Sequence, residues 1–480
     1  MISSSQKQYL QSFTFCFTMN LNRFKFYDKL MKEGTFMSFS DKLSTRLMPL
    51  AAKMANQRHL VAIRDSFIDI MPIIMVNSLF ILLNALVFTN VKINQSWLDL
   101  RPLSNLATMV NNGTMGFMTI YLTFLIGYRL ATHYVSVSKI EAKYFNPIHA
   151  GILSLALALI MFPLMNDVIP LGAEQSVEIA GAYMQSLTSS GGMFVGIIAA
   201  LLGTELLLRI SQNKKLRISM PDGVPPAVSD SFNSLIPEAI VIIIFAVGTF
   251  SFVSLTGMTI PDVVTKVISS PLQFAMQSPI GLFSVELLTQ IFWFFGLHGQ
   301  NIVSSVTSPP MLIAIQQNMD AFAAGLPIPN IVTNPWIGMY TLFGGTGAIL
   351  PFLIAIFIGS KQKNYRQVGK IGLLPSLFNI SEPIMFSLPV VMNPFFVIPF
   401  ICVPLINLAI AYPLTVMGLV AKSVVIPPWT LPPIITAWVT TAGDIPATLL
   451  AAALFILDIF IYLPFVLASN QLIKKLNQTQ

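Results

Sequence analysis

Long apolar runs separated by short polar stretches make up most of this chain. Each run is close to the ~20 residues that an α-helix needs to cross ~30 Å of hydrocarbon. The first half predicts membrane spans at residues 67–88, 113–131, 147–170, 191–210 and 235–255. The second half predicts less regular spans at residues 280–301, an apolar segment up to 324, and spans at 336–358, 395–420 and 447–467. The pattern predicts an all-α polytopic membrane protein with about ten transmembrane helices.

The run LPSLFNISEPIMFSLPVVMNPFFVIPF, residues 374–400, breaks this regularity. It contains five prolines, and Glu382 is the single charged residue between Lys370 and Lys422. Proline disrupts a helix interior, and broken backbone survives in lipid only where protein or a water-filled cavity covers it. We therefore predict one or two re-entrant hairpins in the C-terminal half. A charged side chain in the membrane is costly, so Glu382 is a candidate functional residue. A cytosolic loop is the alternative.

Basic residues orient the predicted spans. They gather before the first span, after the second and fourth spans, in KQKNYRQVGK at 361–370, and at Lys474 and Lys475. Because Lys and Arg accumulate on cytoplasmic loops, both termini are predicted to be cytoplasmic. Asp222-Gly223 and Pro225-Pro226 are turn signals, and they predict a shaped cytoplasmic loop over residues 218–237.

The N-terminal region divides into two parts. Residues 1–36 are basic and aromatic without the pattern of a signal peptide, so they are interpreted as an extension, with Met37 as an alternative start. Residues 37–66 carry leucines at helical spacing opposite basic residues. This pattern predicts an amphipathic helix on the cytoplasmic membrane surface, or a cap packed on other helices.

Composition supports the membrane class and narrows the function. Hydrophobic residues make up 54% and charged residues 10% of the chain, against about 25% charged in soluble proteins. The net charge of +7 is explained by cytoplasmic loops and does not indicate a nucleic-acid partner. Cys16 and Cys402 form no metal spacing. Neither a P-loop nor a dinucleotide fingerprint, zinc spacing or Ser-His-Asp context is recognisable, so no metal or cofactor is predicted.

The candidate chemistry lies in the second half. His298 lies in FWFFGLHGQN between two glycines, and amide and hydroxyl side chains surround it and Glu382. Such groups satisfy sugar hydroxyls, which both donate and accept hydrogen bonds, while tryptophan faces stack on sugar rings. The candidate catalytic residues are Glu382 and His298. The candidate substrate-binding residues are His298, Gln300, Asn301, Asn379, Ser381, Glu382, Asn393 and Trp429, with Trp293 as a second stacking surface. A proton relay between Glu382 and His298 is the alternative, and either tryptophan could instead anchor the chain at the membrane interface.

Three motifs carry a family resemblance. FWFFGLHGQN (292–301), PDGVPPAVSDSF (221–232) and NISEPIMFSLPVVMNPFFVIPF (379–400) together resemble the membrane (IIC) component of the bacterial sugar phosphotransferase system. The lactose/cellobiose/diacetylchitobiose family is the nearest in pattern. The resemblance extends from about Met37 to the C-terminus, so only the first 36 residues depart from it.

The resemblance implies a permease in the bacterial plasma membrane that translocates a β-linked disaccharide such as cellobiose while it is phosphorylated. It implies a homodimer, with residues 67–260 forming the dimer contact and residues 261–480 holding the substrate. His298 and Glu382 match the family residues at the sugar hydroxyl that receives the phosphoryl group. The donor cysteine belongs to a separate IIB protein, which IIA and HPr charge, and Cys402 in its apolar run does not resemble that cysteine. IIB is expected near residues 218–230 and 361–370.

Two other function classes remain open from the residues alone. A proton-coupled sugar symporter would use Glu382 and His298 as a relay and would deliver free sugar rather than sugar phosphate. A membrane enzyme acting on lipid-linked sugars would need an acceptor site and more charged residues than the sequence provides.

Overall fold

The computed structural model describes residues 56–88, 99–168, 175–216, 226–388 and 396–479, together with Lys53, Ile218 and Val390. The predicted extension at 1–36, most of the amphipathic segment at 37–66, residues 219–225 of the turn-rich loop and Asn393 lie outside the described residues. The loop predicted over 218–237 is too long, because a helix already begins at Pro226, and proline is well tolerated at the first position of a helix. The end of the amphipathic segment, from Arg58, is already part of the first long helix.

Helices dominate the first half of the chain. They are α1 (Arg58–Leu83), α2 (Ser104–Gly113), α3 (Met118–Ser136), α4 (Pro147–Met161), α5 (Gln185–Thr188), α6 (Met193–Ser211) and α7 (Pro226–Thr256). Side-chain caps begin two of them. The Gln57 side chain accepts a hydrogen bond from the Leu60 N–H at the start of α1, and Asn146 caps the Ile148 N–H at the start of α4.

The second half contains more and shorter helices. They are α8 (Ile260–Val264), α9 (Ser270–Gln277), α10 (Pro279–Phe294), α11 (Gly299–Ala323), α12 (Asn334–Thr341), α13 (Ile349–Gly359), α14 (Lys363–Leu377), α15 (Glu382–Ser387), α16 (Val397–Val416), α17 (Ile435–Thr440) and α18 (Ile445–Thr479). Short π-helical or 3₁₀ turns join several of the helices in both halves.

Eight helical segments among the described residues are long and apolar enough to cross a membrane, and α10 is a shorter apolar helix. An all-helical membrane architecture is therefore confirmed. The number of about ten spans and the re-entrant hairpins stay predictions, because length and composition alone do not identify a hairpin.

The predicted span at 147–170 is too long. Helix α4 ends at Met161, and Phe162 is extended, with φ −84° and ψ 138°. Phe162 precedes Pro163, and the residue before a proline is excluded from the helical region by its contact with the ring. The chain then forms a small antiparallel hairpin in which β1 (Met165–Val168) pairs with β2 (Val177–Ala180). No strand was predicted here.

The predicted span at 336–358 is not one continuous helix. A glycine segment, residues 344–347 (GGTG), separates α12 from α13. Gly344, Gly345 and Gly347 have φ values of +86°, +102° and +67°. This is the left-handed region, which residues with a Cβ atom rarely adopt, so the sequence of the segment accounts for the break.

Three large hydrophobic clusters among the described residues hold the helices together. One cluster joins α3, α4, α6 and α7. A larger cluster contains residues of the four helices α10, α11, α12 and α13 and of the four helices α15, α16, α17 and α18. The third lies between the two halves, where α1, α3 and α6 pack against α11 and residues 424–426. Helix α11 thus belongs to the second half, but residues 312–319 in its C-terminal half pack against the first.

Candidate functional site

His298 is the N-cap residue of α11. Its Nδ1 accepts a hydrogen bond from the Asn301 N–H at 3.3 Å, which satisfies one of the free donors of the first turn. Because Nδ1 is the acceptor, the neutral ring carries its proton on Nε2. The imidazole packs against the buried ring of Trp293, with centroids 4.3 Å apart. Position, tautomer and ring orientation of His298 are therefore all determined by its neighbours.

Glu382 is the first residue of the short helix α15, and Pro383 follows it in the first turn. A carboxylate is favoured at this position because a helix N-terminus carries a partial positive charge. The predicted hairpin begins with α14, which continues through Pro375 to Leu377 and is joined to α15 by a turn. Residues 391–395 lie outside the described part of the chain.

His298 and Glu382 face each other across a narrow gap. His298 Nε2 and Glu382 Oε1 are 4.0 Å apart, and each side chain is 44% exposed. This distance is too long for a hydrogen bond. A hydroxyl oxygen about 2.8 Å from both atoms could accept from Nε2–H and donate to Oε1. The structure thus brings together the two predicted catalytic residues and leaves room for one hydroxyl group between them.

The side-chain amide of Asn379 forms hydrogen bonds with three backbone groups around the site. Its Oδ1 accepts from the Gly344 N–H at 3.0 Å, and its Nδ2 donates to the carbonyl oxygens of Trp429 and Leu431 at 2.8 and 2.9 Å. Its own backbone is left-handed, with φ +62°, which asparagine tolerates better than most residues. These contacts join the turn before Glu382 to two other loops, so Asn379 has a positioning role beside the sugar-binding role predicted for it.

Ser381 lies against the glycine segment. It is 3% exposed, and a Cβ atom built on Gly345 would lie 2.6 Å from the Ser381 Cβ. The Ser381 carbonyl accepts the backbone N–H groups of Ile384 and Met385, which starts α15. The close approach of Gly345 thus sets the position of the residue that precedes Glu382.

The remaining predicted residues differ in their exposure and contacts. Gln300 is exposed and Asn301 half-buried in the first turn of α11, next to His298. Trp429 is 60% exposed, and its carbonyl is held by Asn379. Trp293 is buried beneath His298, so it supports the imidazole and does not offer an open face for stacking. Asn393 lies outside the described residues.

A chain of polar side chains that was not predicted from the sequence lies beneath the site. Thr346 Oγ1 donates to Gln290 Oε1 at 2.9 Å, and Gln290 Nε2 donates to the buried carboxylate of Glu286 at 2.7 Å. The Tyr462 hydroxyl donates to the Gly347 carbonyl oxygen. Two features of the sequence could have indicated this chain: the run GGTG at 344–347, and Glu286 one helical turn before Gln290. That these residues lie near Glu382 could not be read from the sequence, because it depends on tertiary contacts.

No group of three or more His, Cys, Asp or Glu side chains within the described ranges is arranged to hold a metal ion. The site pairs one carboxylate with one imidazole and has amides nearby, a set of groups that can bind and deprotonate a hydroxyl group.

Comparison with known proteins gives one family. The model of the phosphotransferase system EIIC family matches residues 64–404. The cellobiose-specific EIIC component of Geobacillus stearothermophilus is 34% identical over 438 residues, which cover 89% of this chain and 93% of the relative. The lichenan permease IIC component of Bacillus subtilis (strain 168) is 34% identical over 430 residues, covering 88% and 92%.

A solved structure has the same architecture. The crystal structure of ChbC, the IIC component of the N,N'-diacetylchitobiose-specific phosphotransferase system, superimposes with a TM-score of 0.82 and 32% identity, covering 89% of this chain and 97% of ChbC. The family model spans most of the chain, and the relatives are matched over nearly their full length. This chain therefore belongs to the EIIC family of integral membrane components of the phosphotransferase system.

Proposed function

We propose that this chain carries a β-linked disaccharide such as cellobiose across the bacterial plasma membrane and holds it for phosphorylation by a separate IIB protein. Membership of the EIIC family and the substrates named for its relatives support the substrate class. The observation that carries the proposal is the 4.0 Å gap between His298 Nε2 and Glu382 Oε1, which suits a sugar hydroxyl. The family membership gives no support to the proton-coupled symporter.

The chemistry follows from the two side chains. His298 Nε2–H donates to the sugar hydroxyl and holds it, while the carboxylate of Glu382 accepts the hydroxyl proton. The hydroxyl oxygen attacks the phosphorus atom on the IIB cysteine, the P–S bond breaks, and the cysteine leaves as a thiolate. The sugar phosphate then departs on the cytoplasmic side, and its charge prevents it from crossing back. IIA and HPr would recharge IIB.

The docking surface for IIB is proposed at the N-terminal half of α14. Lys361, Lys363, Arg366 and Lys370 are exposed there. The C-terminal end of the same helix leads through Asn379 to Glu382. Helix α14 would thus connect the proposed docking surface to the turn that carries Glu382.

The proposal also covers the membrane topology and the oligomeric state of the protein. About ten spans with one or two re-entrant hairpins, cytoplasmic termini and a homodimer are proposed. Helix α7 is exposed over most of its apolar length, with Phe250 and Leu255 74% and 86% exposed, so this surface is available to a partner protomer or to lipid. Residues 67–260 would form the dimer contact, and residues 261–480 would hold and carry the sugar, with a rigid-body movement giving alternate access.

Labelled cellobiose in proteoliposomes tests the function. Vesicles are loaded with or without phosphorylated IIB, and internal free sugar and sugar phosphate are separated. We expect trapped sugar phosphate only when phosphorylated IIB is present. Concentrative uptake of free cellobiose driven by a pH gradient, without IIB, would replace this proposal with the symporter.

A further inference from the structure

We propose that Thr436 is a positioning residue for disaccharide binding. Its hydroxyl holds a proline-rich loop, residues 427–434, in a strained shape, and this shape sets the position of Trp429. The inference rests on the function proposed above and on the sugar contact predicted for Trp429. It adds a residue that was not predicted from the sequence.

Ile434 has a backbone conformation that is rare for its residue type. Its φ and ψ are +72° and −52°, and the Ile435 N–H donates to the Pro433 carbonyl oxygen at 2.9 Å. This is a γ-turn with positive φ, which is rare and strained, and a β-branched residue with positive φ is an outlier. Such a conformation persists only where contacts elsewhere hold it.

Two side chains from different elements supply such contacts, and both reach the Leu431 carbonyl oxygen. The Thr436 hydroxyl shares its proton between the carbonyl oxygens of Leu431 and Pro432, each 3.0 Å away. The Asn379 amide donates to the carbonyl oxygens of Leu431 and Trp429 at 2.9 and 2.8 Å. Thr436 belongs to α17 and Asn379 to the turn before α15, so the loop is held between α17 and the sugar site.

The prolines leave the loop few ways to change its shape. Pro427, Pro428, Pro432 and Pro433 have fixed φ angles, and a residue that precedes a proline is confined to extended conformations. Rotation at Ile434 is therefore the easiest movement of the loop. Without the Thr436 hydroxyl, we expect Ile434 to relax to negative φ and to shift the carbonyl groups that Asn379 holds.

Trp429 gives the loop its place in sugar binding. Its side chain is 60% exposed, whereas Trp293 is buried beneath His298. The gap between His298 and Glu382 takes one hydroxyl group, so the rest of a disaccharide needs other contacts, and an exposed aromatic face suits a sugar ring. A loop that is fixed before the substrate arrives needs less ordering on binding. Thr436 thus acts on affinity through Trp429.

The test removes the hydroxyl and then the strain. Thr436→Val keeps the branched shape without the hydroxyl, and Thr436→Ser keeps the hydroxyl. Thr441→Val is the matched control, because the buried Thr441 hydroxyl donates to the Ala437 carbonyl of the same helix at 2.7 Å. We measure the Kd for cellobiose in detergent and, at saturating cellobiose, single-turnover transfer from phosphorylated IIB in proteoliposomes.

Thr436→Val should bind cellobiose at least about tenfold more weakly, whereas transfer at saturating cellobiose should stay within about threefold of the wild type. Thr436→Ser and Thr441→Val should bind within about twofold of the wild type, because the loop keeps its hydroxyl contact in both. Adding Ile434→Gly to Thr436→Val should recover most of the lost affinity, since glycine adopts this φ without strain. A loss of general stability would not be reversed in this way.

Wild-type affinity in Thr436→Val, or an equal loss in Thr441→Val, would overturn the inference. So would a failure of Ile434→Gly to recover affinity, because the hydroxyl would then not act by holding a strained loop. If Thr436→Val does not fold, the single variants Ile434→Gly and Ile434→Ala decide. The glycine variant should have the higher melting temperature, because alanine is strained at positive φ, and the opposite order contradicts the inference.

Glu382→Gln in the same assay separates the two proposals. Transfer retained in Glu382→Gln contradicts the function proposed for the pair of His298 and Glu382. Transfer lost in Glu382→Gln, together with wild-type affinity for cellobiose in Thr436→Val, contradicts the role of Thr436 alone.

Discussion

At the scale of single residues, His298 and Glu382 are held in place by different structural features. His298 is held by the start of α11 and by Trp293, whereas Glu382 starts its own short helix. At 4.0 Å, the two side chains do not form a hydrogen bond with each other. The imidazole is therefore oriented before the substrate arrives, so little ordering of His298 is needed on binding.

Glu382→Gln keeps the shape of the side chain and removes its charge. Loss of phosphorylation-coupled uptake is expected, because an amide cannot accept the hydroxyl proton. Membrane insertion and the elution profile of the purified protein should be unchanged. Uptake of labelled cellobiose into vesicles containing phosphorylated IIB measures the effect, and near-normal uptake would make Glu382 a structural residue.

His298 combines a capping role with the proposed sugar contact, and two variants separate them. Asparagine is a good N-cap, so His298→Asn should keep the start of α11 but lose the donor that faces Glu382. His298→Ala loses both and should also lower the melting temperature. Both should weaken cellobiose binding by about 1–3 kcal/mol, measured by titration calorimetry. If only His298→Ala binds weakly, the cap and not the sugar contact explains the effect.

At the scale of elements, the site depends on a glycine segment that divides α12 from α13. Gly344 donates its N–H to Asn379, Gly345 lies against Ser381, and Gly347 lies against the ring of Phe400. The segment thus supports the turn that carries Glu382. Its own position is held from below by Gln290 and Tyr462.

Gly345→Ala should disturb this support. Its φ of +102° is strained for alanine by about 1–3 kcal/mol, and the new Cβ would lie 2.6 Å from Ser381 Cβ. We expect cellobiose binding at least about tenfold weaker, with helix content unchanged by circular dichroism. Gly338→Ala is the control, because Gly338 lies within α12 and its Cβ would meet a flexible Leu342 side chain at 3.3 Å. Equal effects of the two variants would argue against the segment's role.

At the scale of the whole molecule, the orientation of the chain decides which face meets IIB. In a background with Cys16 and Cys402 replaced by serine, cysteines at Lys214 and Lys363 should react with an impermeant thiol reagent only from the cytoplasmic side. A cysteine at Glu174 should react from outside. Labelling of intact cells and of inverted vesicles checks this, and the opposite pattern would invert the topology and move the proposed IIB surface to the wrong face.

The sequence by itself determined the membrane class and most helix positions, and it singled out Glu382 and His298 as candidate site residues. These follow from the cost of removing polar groups from water, which depends on residue type and the apolar length around it and needs no knowledge of the fold. It also contained the prolines and glycines that break helices, although α4 ends earlier than predicted and the GGTG segment was overlooked.

The tertiary structure decided what the sequence could not. The distance between His298 and Glu382 and the three contacts of the Asn379 amide join residues that are far apart in the chain. Such relations arise from helix packing, which matches shapes across the whole molecule, and no local pattern encodes them.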